Sequence, residues 1–286
     1  MPLGRSIRIY LDQGEVSGIR YAEVMGRTEQ ALLCPRHRVS ELAERWESVV
    51  CRPGAYFLFG ADRPSAREVY IGESEDILKR IKRHVIDEDF WHEAVLITNK
   101  DGNFTKSHFK YLESRLVGRA KEVNRYSVEN DNHPAPAALS RPDVDAVEEL
   151  FLQVPLLLGV LGHRVLDAIA QVAPAPGYPF EFFCKVKDAR ATGRVTDEGF
   201  VVLKGSTALK GTTETMTPGY IAFKQELIAS GKLADRGELL LFREDILFTS
   251  PSAAAAVVYG NNANGRVLWK TEDNRTLKQI EERQAR

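Results

Sequence analysis

The chain has 286 residues, of which 43% are hydrophobic and 28% are charged, and its formal net charge is −1. This length supplies two hydrophobic cores, and the composition is that of an ordinary globular protein. No apolar run is long enough to span a membrane, and the first residues lack the apolar segment of a signal peptide. A general nucleic-acid coating protein would be more basic, but this charge permits a local basic face.

The three cysteines, Cys34, Cys51 and Cys184, are odd in number and widely spaced. No pair has the CxxC spacing, which excludes a zinc site built on cysteine pairs. The pattern predicts free thiols in a reducing compartment, and we therefore expect a cytoplasmic protein.

Alternating apolar and polar residues predict a strand over 6–11, which is followed by a turn. An apolar segment over 31–34 and a helical segment over 39–50 come next. We expect residues 1–50 to form a β-rich N-terminal extension.

The next region, residues 51–171, has the pattern of an α+β domain with a small mixed or antiparallel sheet flanked by helices. Runs over 55–60, 68–72 and 94–98 are rich in aromatic and β-branched residues, which favour strands. Pro64 lies between the first two runs and favours a hairpin loop there.

A helix is predicted directly after the second of these strands. Ser74 is a residue type that caps helix N-termini. Ile77, Ile81 and Val85 recur at intervals of four and define the buried stripe of this helix.

Two further helices are predicted, one over 105–123 and one that begins near 140–143. Three prolines within 130–142 predict irregular structure between them. The apolar positions of the two helices are Phe109, Leu112, Leu116, Ala120, Val144, Val147, Phe151 and Leu152.

A linker is predicted over 172–179, where three prolines and a glycine fall within eight residues. Beyond it we expect a separate, small α+β C-terminal domain over 180–280. Its predicted strands are 181–187, 200–204 and 238–242, and its predicted helices are 217–230 and 250–260, the latter with Ser250 as N-cap, Pro251 in the first turn and Gly260 at the C-terminal end.

Two tyrosines on the predicted hairpin are candidates for chemistry. Tyr56 ends the triplet Gly54-Ala55-Tyr56, and Tyr70 begins Tyr70-Ile71-Gly72. Taken alone, each is most often a half-buried sheet residue. A tyrosine hydroxyl in a desolvated site can also give or take a proton.

The helix after the hairpin carries five cationic residue types: Lys79, Arg80, Lys82, Arg83 and His84. A solvated helix face is the commoner interpretation of such a run. Arg80 and His84, however, are four residues apart and project together. An arginine in such a position can bind a phosphate through two parallel hydrogen bonds.

Glu113 borders the apolar stripe of its helix, because Phe109, Leu116 and Val117 are its helical neighbours. A carboxylate in that position needs a partner, either a metal ion or a basic side chain in a salt bridge. Asn130 stands at the end of a predicted element, where asparagine most often supports a turn.

In their order along the chain, these features resemble the GIY-YIG nuclease superfamily, which includes intron-homing endonucleases, a subunit of bacterial excision repair and some restriction enzymes. The resemblance covers about a hundred residues and departs from the name-giving motif at Ala55, where the family has isoleucine. That side chain should point away from the catalytic face of an alternating strand. The catalytic residues that the resemblance implies are Tyr56, Tyr70, Arg80, His84, Glu113 and Asn130.

What the resemblance implies is a metal-dependent endonuclease that hydrolyses DNA phosphodiester bonds by in-line attack of water. Glu113 would hold one Mg²⁺ or Mn²⁺ per active site. Arg80 would neutralise charge on the phosphate. Tyr56 would help to deprotonate the water, with either Tyr70 or His84 assisting.

Asn130 would position the phosphate or the loop that carries it. The alternative function is a catalytically silent module that keeps the nuclease fold and binds DNA or another partner. A small-molecule enzyme has no support, because the nucleotide-binding and HExxH motifs are missing from the sequence.

The C-terminal part resembles an uncharacterised domain often attached to such nucleases, on the segments 199–206 and 250–265 and on Trp269. This resemblance implies no activity. The asparagine-rich segment 261–265 and Trp269 are candidates for DNA contact, but a turn and a core tryptophan are the favoured interpretation.

Overall fold

The computed structural model describes residues 4–62, 67–130, 134–168 and 174–284. The chain divides into two compact units, Met1–Asp167 and Ala168–Arg286, and each mixes helices with sheets. The predicted α+β class with a separate C-terminal domain is confirmed. Parts of three predicted loops lie outside the described residues, namely 63–66 with Pro64, 131–133, and positions 172 and 173 of the linker.

The first unit is built on a seven-stranded sheet whose strands are β1 (Ile7–Leu11), β2 (Arg20–Val24), β3 (Glu29–Pro35), β4 (Gly54–Asp62), β5 (Arg67–Ser74), β6 (Trp91–Asn99) and β7 (Ser127–Val128). Their order across the sheet is β1-β2-β3-β6-β4-β5-β7. Neighbouring strands are antiparallel except for β5 and β7. The first fifty residues thus supply three strands to the same sheet as β4 and β5.

The helices of the first unit are α1 (Leu42–Arg45), α2 (Glu47–Val50), α3 (Ile77–Asp87), α4 (Lys106–Val123) and α5 (Arg141–Leu161). The expectation of one helix over 39–50 is wrong, because Trp46 leaves helical geometry between α1 and α2. The Trp46 ring stacks on Tyr21 and meets Tyr10 edge-on, with ring centroids 5.6 and 5.9 Å away. These aromatic contacts outweigh the local preference for a continuous helix.

Helix α3 begins later than the sequence predicts. Ser74 is still part of β5, and the cap is Asp76, whose carboxylate accepts a hydrogen bond from the Lys79 backbone N–H at 3.0 Å. Ser74 instead uses its hydroxyl to accept from the Asp76 N–H at 3.2 Å. The prediction of Ser74 as the cap is therefore wrong, because the helix is capped two residues later.

The sheet is covered on both faces, which explains why β4 is apolar along its length. Ala55 and Phe57 belong to the core under α4 and α5, whereas Tyr56 and Leu58 belong to the core under α3. The expectation that Ala55 points away from Tyr56 is confirmed. Leu152 was expected among the apolar positions of α5, but its side chain is 69% exposed.

The second unit contains a four-stranded and a three-stranded sheet, ordered β14-β10-β9-β8 and β11-β13-β12. The strands are β8 (Phe182–Val186), β9 (Ala189–Thr196), β10 (Gly199–Val202), β11 (Thr207–Leu209), β12 (Leu233–Arg236), β13 (Leu239–Phe242) and β14 (Ile246–Phe248). The helices are α6 (Pro218–Ala229), α7 (Pro251–Tyr259), α8 (Gly265–Leu268) and α9 (Leu277–Gln284).

Helix α7 follows its sequence signals at both ends. The Ser250 hydroxyl accepts a hydrogen bond from the Ala253 N–H at 3.1 Å, and Gly260 ends the helix with a φ of 71°. The predicted cap and terminator of this helix are confirmed.

All three cysteines are free thiols, as the sequence predicts. Across the residues that the structure describes, no helix combines the length and the apolar character needed to cross a membrane.

Candidate active site

A buried tyrosine lies at the centre of the site. Tyr56 on β4 pairs across the sheet with Gly72 on β5, and its side chain is 1% exposed. Its hydroxyl oxygen lies 2.9 Å from Nε2 of His84 and accepts a hydrogen bond from Nε of Arg80 at 3.1 Å. The Arg80 and His84 side chains, one turn apart on α3, therefore meet at one oxygen atom.

The direction of the hydrogen bond between Tyr56 and His84 follows from donor counts. Nδ1 of His84 lies 3.0 Å from a carboxylate oxygen of Glu88, which can only accept, so Nδ1 carries a proton. Burial lowers the pKa of His84, which favours the neutral ring. In that form Nε2 is an acceptor, and the Tyr56 hydroxyl donates to it.

Tyr70 lies beside this group on β5. Its ring centroid is 6.2 Å from that of Tyr56 and 5.6 Å from that of His84. Its hydroxyl contributes to the raised pKa of Arg80, after the larger contribution of Tyr56. Of the two candidate assistants of Tyr56, His84 is the one in hydrogen-bonding contact with the Tyr56 hydroxyl.

Burial raises the pKa of the Tyr56 hydroxyl above its ordinary value, and the hydrogen bond from Arg80 opposes that effect. Tyr56 is therefore a neutral phenol at neutral pH. It can accept a proton only if it passes its own proton on, and Nε2 of His84 is placed to receive it.

Two carboxylates lie near the same end of β5. Glu113 is on α4, and Glu73 follows Gly72 on β5. Burial, and next the charge of Glu73, raise the pKa of Glu113 to about 7, although the Glu73 backbone N–H, Lys110 and Arg80 act in the opposite direction. Glu113 is thus a half-buried carboxylate whose ionised form is only partly compensated by these neighbours.

The donor set fits a hard divalent cation. Oε2 of Glu73 is buried and has no hydrogen-bond partner in the described structure, and Glu113 favours an added positive charge. Within the described ranges, no group of three or more His, Cys, Asp and Glu side chains is placed to hold a metal by itself. A cation here would keep water ligands, which is the usual behaviour of Mg²⁺.

The side chain of Asn130 is hydrogen-bonded to the backbone of β5. Its side-chain oxygen accepts from the Ile71 N–H at 3.0 Å, and its side-chain nitrogen donates to the Ile71 carbonyl at 2.7 Å. Asn130 therefore holds β5 between Tyr70 and Gly72. Its amide acts on the strand that carries the site, and these two bonds direct it at the backbone instead of at a phosphate.

Exposed cations flank the site on two helices. Lys79, Lys82 and Arg83 are exposed on α3, and Lys106 and Lys110 are exposed on α4. Burial raises the pKa of Glu73, and the two lysines of α4 oppose that rise, so their charges reach the site. Such an arrangement suits a polyanion that lies across both helices.

Sequence reasoning missed Glu88 and Glu73. Glu88 is four residues after His84 and ends α3, where an acidic residue opposes the helix dipole, and that mismatch was the available signal. Glu73 directly follows Gly72, and its contact with Glu113 depends on how α4 packs on β5.

In the second unit, Trp269 is a core residue. It is 0% exposed, and its indole N–H donates to the Pro251 carbonyl at 2.9 Å. Asn261 accepts hydrogen bonds from the hydroxyls of Thr213 and Thr215 at 2.8 and 3.1 Å. Trp269 is therefore the core residue that the sequence favours, and Asn261 supports its loop.

Residues 182–281 match the model of a family described as a domain of unknown function, DUF4357. This match covers most of the second unit and none of the site described above. No curated protein and no solved structure gives a significant match to the chain.

Proposed function

We propose that this protein is an endonuclease of the GIY-YIG type that uses one divalent metal ion to hydrolyse DNA phosphodiester bonds. The observation that carries the proposal is the Tyr56 hydroxyl, held between Arg80 and His84 near the carboxylate of Glu113. An acid–base pair, a fixed guanidinium and a carboxylate in need of a cation are the groups that phosphodiester hydrolysis requires.

Glu113 is the residue that would hold Mg²⁺ or Mn²⁺, with Glu73 as its carboxylate neighbour. When bound, the cation supplies electrostatic stabilisation of the leaving oxygen. The raised pKa of Glu113 is that of a group whose ionised form gains most from an added cation.

Tyr56 and His84 together remove a proton from the attacking water. The Tyr56 oxygen takes a proton from the water while its own proton moves to Nε2 of His84. The water oxygen bonds to phosphorus, the bond from phosphorus to one deoxyribose oxygen breaks, and that oxygen takes a proton from solvent. His84 then releases its extra proton to solvent, which restores the neutral ring and balances the proton that the leaving oxygen took up.

Arg80 has two tasks in this proposal. Its Nε holds the Tyr56 oxygen, the guanidinium also hydrogen-bonds to Tyr70, and its remaining N–H groups would bind a non-bridging phosphate oxygen. Asn130 keeps β5 in place, so that Tyr70 and Gly72 stay in register with β4.

The test is incubation of the full chain with supercoiled plasmid and with branched DNA, in Mg²⁺, in Mn²⁺ and in EDTA. We expect nicks or breaks in both metals and intact DNA in EDTA, with ends of uniform chemistry on mapping. Binding to DNA without any metal-dependent cutting would instead identify a silent DNA-binding module.

A further inference from the structure

We propose that Glu88 is a positioning residue that fixes the tautomer of His84, so that Tyr56, His84 and Glu88 form one proton-transfer chain. This inference rests on the proposed function for its catalytic meaning. Its structural content, the protonation of one ring nitrogen, stands independently of DNA cleavage.

The geometry of the contact is well defined. Oε1 of Glu88 lies 3.0 Å from Nδ1 of His84, and the Glu88 backbone N–H donates to the His84 carbonyl at 3.2 Å. The His84 side chain is 3% exposed and that of Glu88 is 36% exposed. The carboxylate therefore joins a buried imidazole to the protein surface.

The position of Glu88 is costly for the helix that ends there. A carboxylate at a helix C-terminus opposes the helix dipole and destabilises the last turn. The Glu88 backbone leaves the helix in an extended conformation, which turns the side chain back toward His84. Helix stability does not explain this residue, whereas the contact with His84 does.

Glu88 determines which ring nitrogen of His84 carries the proton. With the proton of the neutral imidazole held at Nδ1 by Glu88, the Nε2 lone pair faces the Tyr56 hydroxyl. The alternative tautomer would direct a lone pair at a carboxylate and leave Nε2 unable to accept. Without Glu88, the ring loses its preference for the tautomer that can accept a proton from Tyr56.

The transfer balances without any further reactant. The O–H bond of Tyr56 breaks, a new N–H bond forms at Nε2, and Tyr56 gains a proton from the attacking water. The imidazolium that results donates from both nitrogens, and Glu88 stays ionised and stabilises it. Glu88 acts on His84 alone.

Several other groups face His84. On α3 they are Arg80, which lowers the pKa of His84, and Asp87, which raises it. From the sheet, Tyr56 and Tyr70 present their rings, and the indole N–H of Trp91 donates to the His84 carbonyl at 3.4 Å. Burial has the largest effect on the pKa of His84 and lowers it. The charge of Glu88 has the next largest effect and raises this pKa.

Two measurements on the full chain test this role, with Glu88→Gln and the control Asp89→Asn, an exposed neighbour. The first is the ¹⁵N NMR shifts of the His84 ring, followed through a pH titration. We expect the Nδ1–H tautomer in the wild-type protein and in Asp89→Asn, and a lower His84 pKa in Glu88→Gln. A wild-type ring protonated at Nε2 would overturn the inference, whether or not the protein cuts DNA.

The second measurement is the pH profile of single-turnover DNA cleavage. Glu88→Gln should lower the plateau rate about tenfold or more, and its acid limb should move to lower pH. Activity falls on the acid side because protonated His84 cannot accept, and removal of the Glu88 charge lowers the His84 pKa. A uniform loss with an unshifted limb would show a merely structural role and would contradict the inference.

Wild-type cleavage that is absent altogether, together with the Nδ1–H tautomer, would refute the nuclease proposal and leave the positioning of His84 by Glu88 intact.

Discussion

Gly72 on β5 lies directly under the Tyr56 hydroxyl, so that a Cβ atom at position 72 would overlap both the phenol oxygen and the ring. The two residues are cross-strand partners. Only glycine therefore allows the Tyr56 hydroxyl to reach His84 and Arg80 from its present rotamer.

Gly72→Ala should displace the Tyr56 hydroxyl and reduce the single-turnover cleavage rate by about 100-fold, as expected for a shift near 1 Å at a reacting group. DNA affinity should change little, because the exposed cations of α3 and α4 remain. Gly102→Ala is the matched control, since a Cβ atom there meets open space. Equal cleavage rates for the two variants would show that the position of Tyr56 is not critical.

The second prediction concerns the geometry of Arg80. Arg80→Lys keeps the charge but loses the planar guanidinium. That group contacts Tyr56 through one N–H and presents further N–H groups to a phosphate. We expect a loss of about 10²-fold in the cleavage rate at saturating DNA. Lys82→Arg, on the exposed face of the same helix, serves as the control. An Arg80→Lys variant that cuts at the wild-type rate would make Arg80 an ordinary surface cation.

The third prediction concerns the lysines of α4. Lys106→Gln combined with Lys110→Gln should weaken DNA binding and reduce the slope of log affinity against log salt by about 0.9 for each phosphate that the variant no longer neutralises. The control is Arg5→Gln with Arg27→Gln. Arg5 is exposed before β1 and Arg27 is exposed between β2 and β3, so both lie at least three strands from β5 in the sheet order.

Binding is best measured in Ca²⁺, a divalent cation chosen to slow cutting, by titration at several salt concentrations. The cleavage rate of the α4 double variant at saturating DNA and saturating Mg²⁺ should fall much less than its DNA affinity. An unchanged salt slope would place the DNA elsewhere on the protein.

The fourth prediction is a pH dependence of stability in the metal-free protein. Because the folded-state pKa of Glu113 is raised to about 7, this group ionises at a lower pH in the unfolded chain than in the folded protein. The contribution of Glu113 to the free energy of unfolding is fully present below the unfolded pKa near 4 and is lost as pH rises through 7. Glu113→Gln removes the ionisation and should therefore stabilise the protein at pH 8 but not at pH 4.5.

The gain at pH 8 should be about 1–3 kcal/mol after allowance for partial exposure. It should appear as a higher melting temperature in EDTA than that of the wild type. Glu122→Gln, an exposed glutamate on the same helix, is the control. A melting temperature that Glu113→Gln leaves unchanged at pH 8 would show that Glu113 is well solvated or already paired.

Much of the candidate site was expected from the resemblance of its motifs to the nuclease superfamily, and its residues meet because they lie on regular elements. Tyr56, Tyr70, Arg80 and His84 lie on a hairpin and the helix that follows it, where spacing fixes direction. Glu88 could not be predicted with them, because its contact depends on how the chain leaves α3. The role of Asn130 was also hidden, since its amide binds the Ile71 backbone in three dimensions.

The fold was predictable where apolar periodicity was clean, as in β4 and α4. It was not predictable for β2, which holds Glu23 in mid-strand. That carboxylate is 7% exposed and is stabilised by Tyr21 on the same strand and by Arg8 and Lys100, which are distant in sequence. A local pattern cannot reveal a strand whose charged residue is satisfied by such distant partners.

The most direct measurement compares wild type and Glu113→Gln in single-turnover DNA cleavage with Mg²⁺, with folding and DNA affinity measured on the same samples. We predict metal-dependent cutting by the wild type, and no detectable cutting by a folded Glu113→Gln protein that still binds DNA. Cutting by Glu113→Gln at the wild-type rate, or a wild type that binds DNA but never cuts it, would contradict the assignment of this site as a metal-dependent nuclease centre.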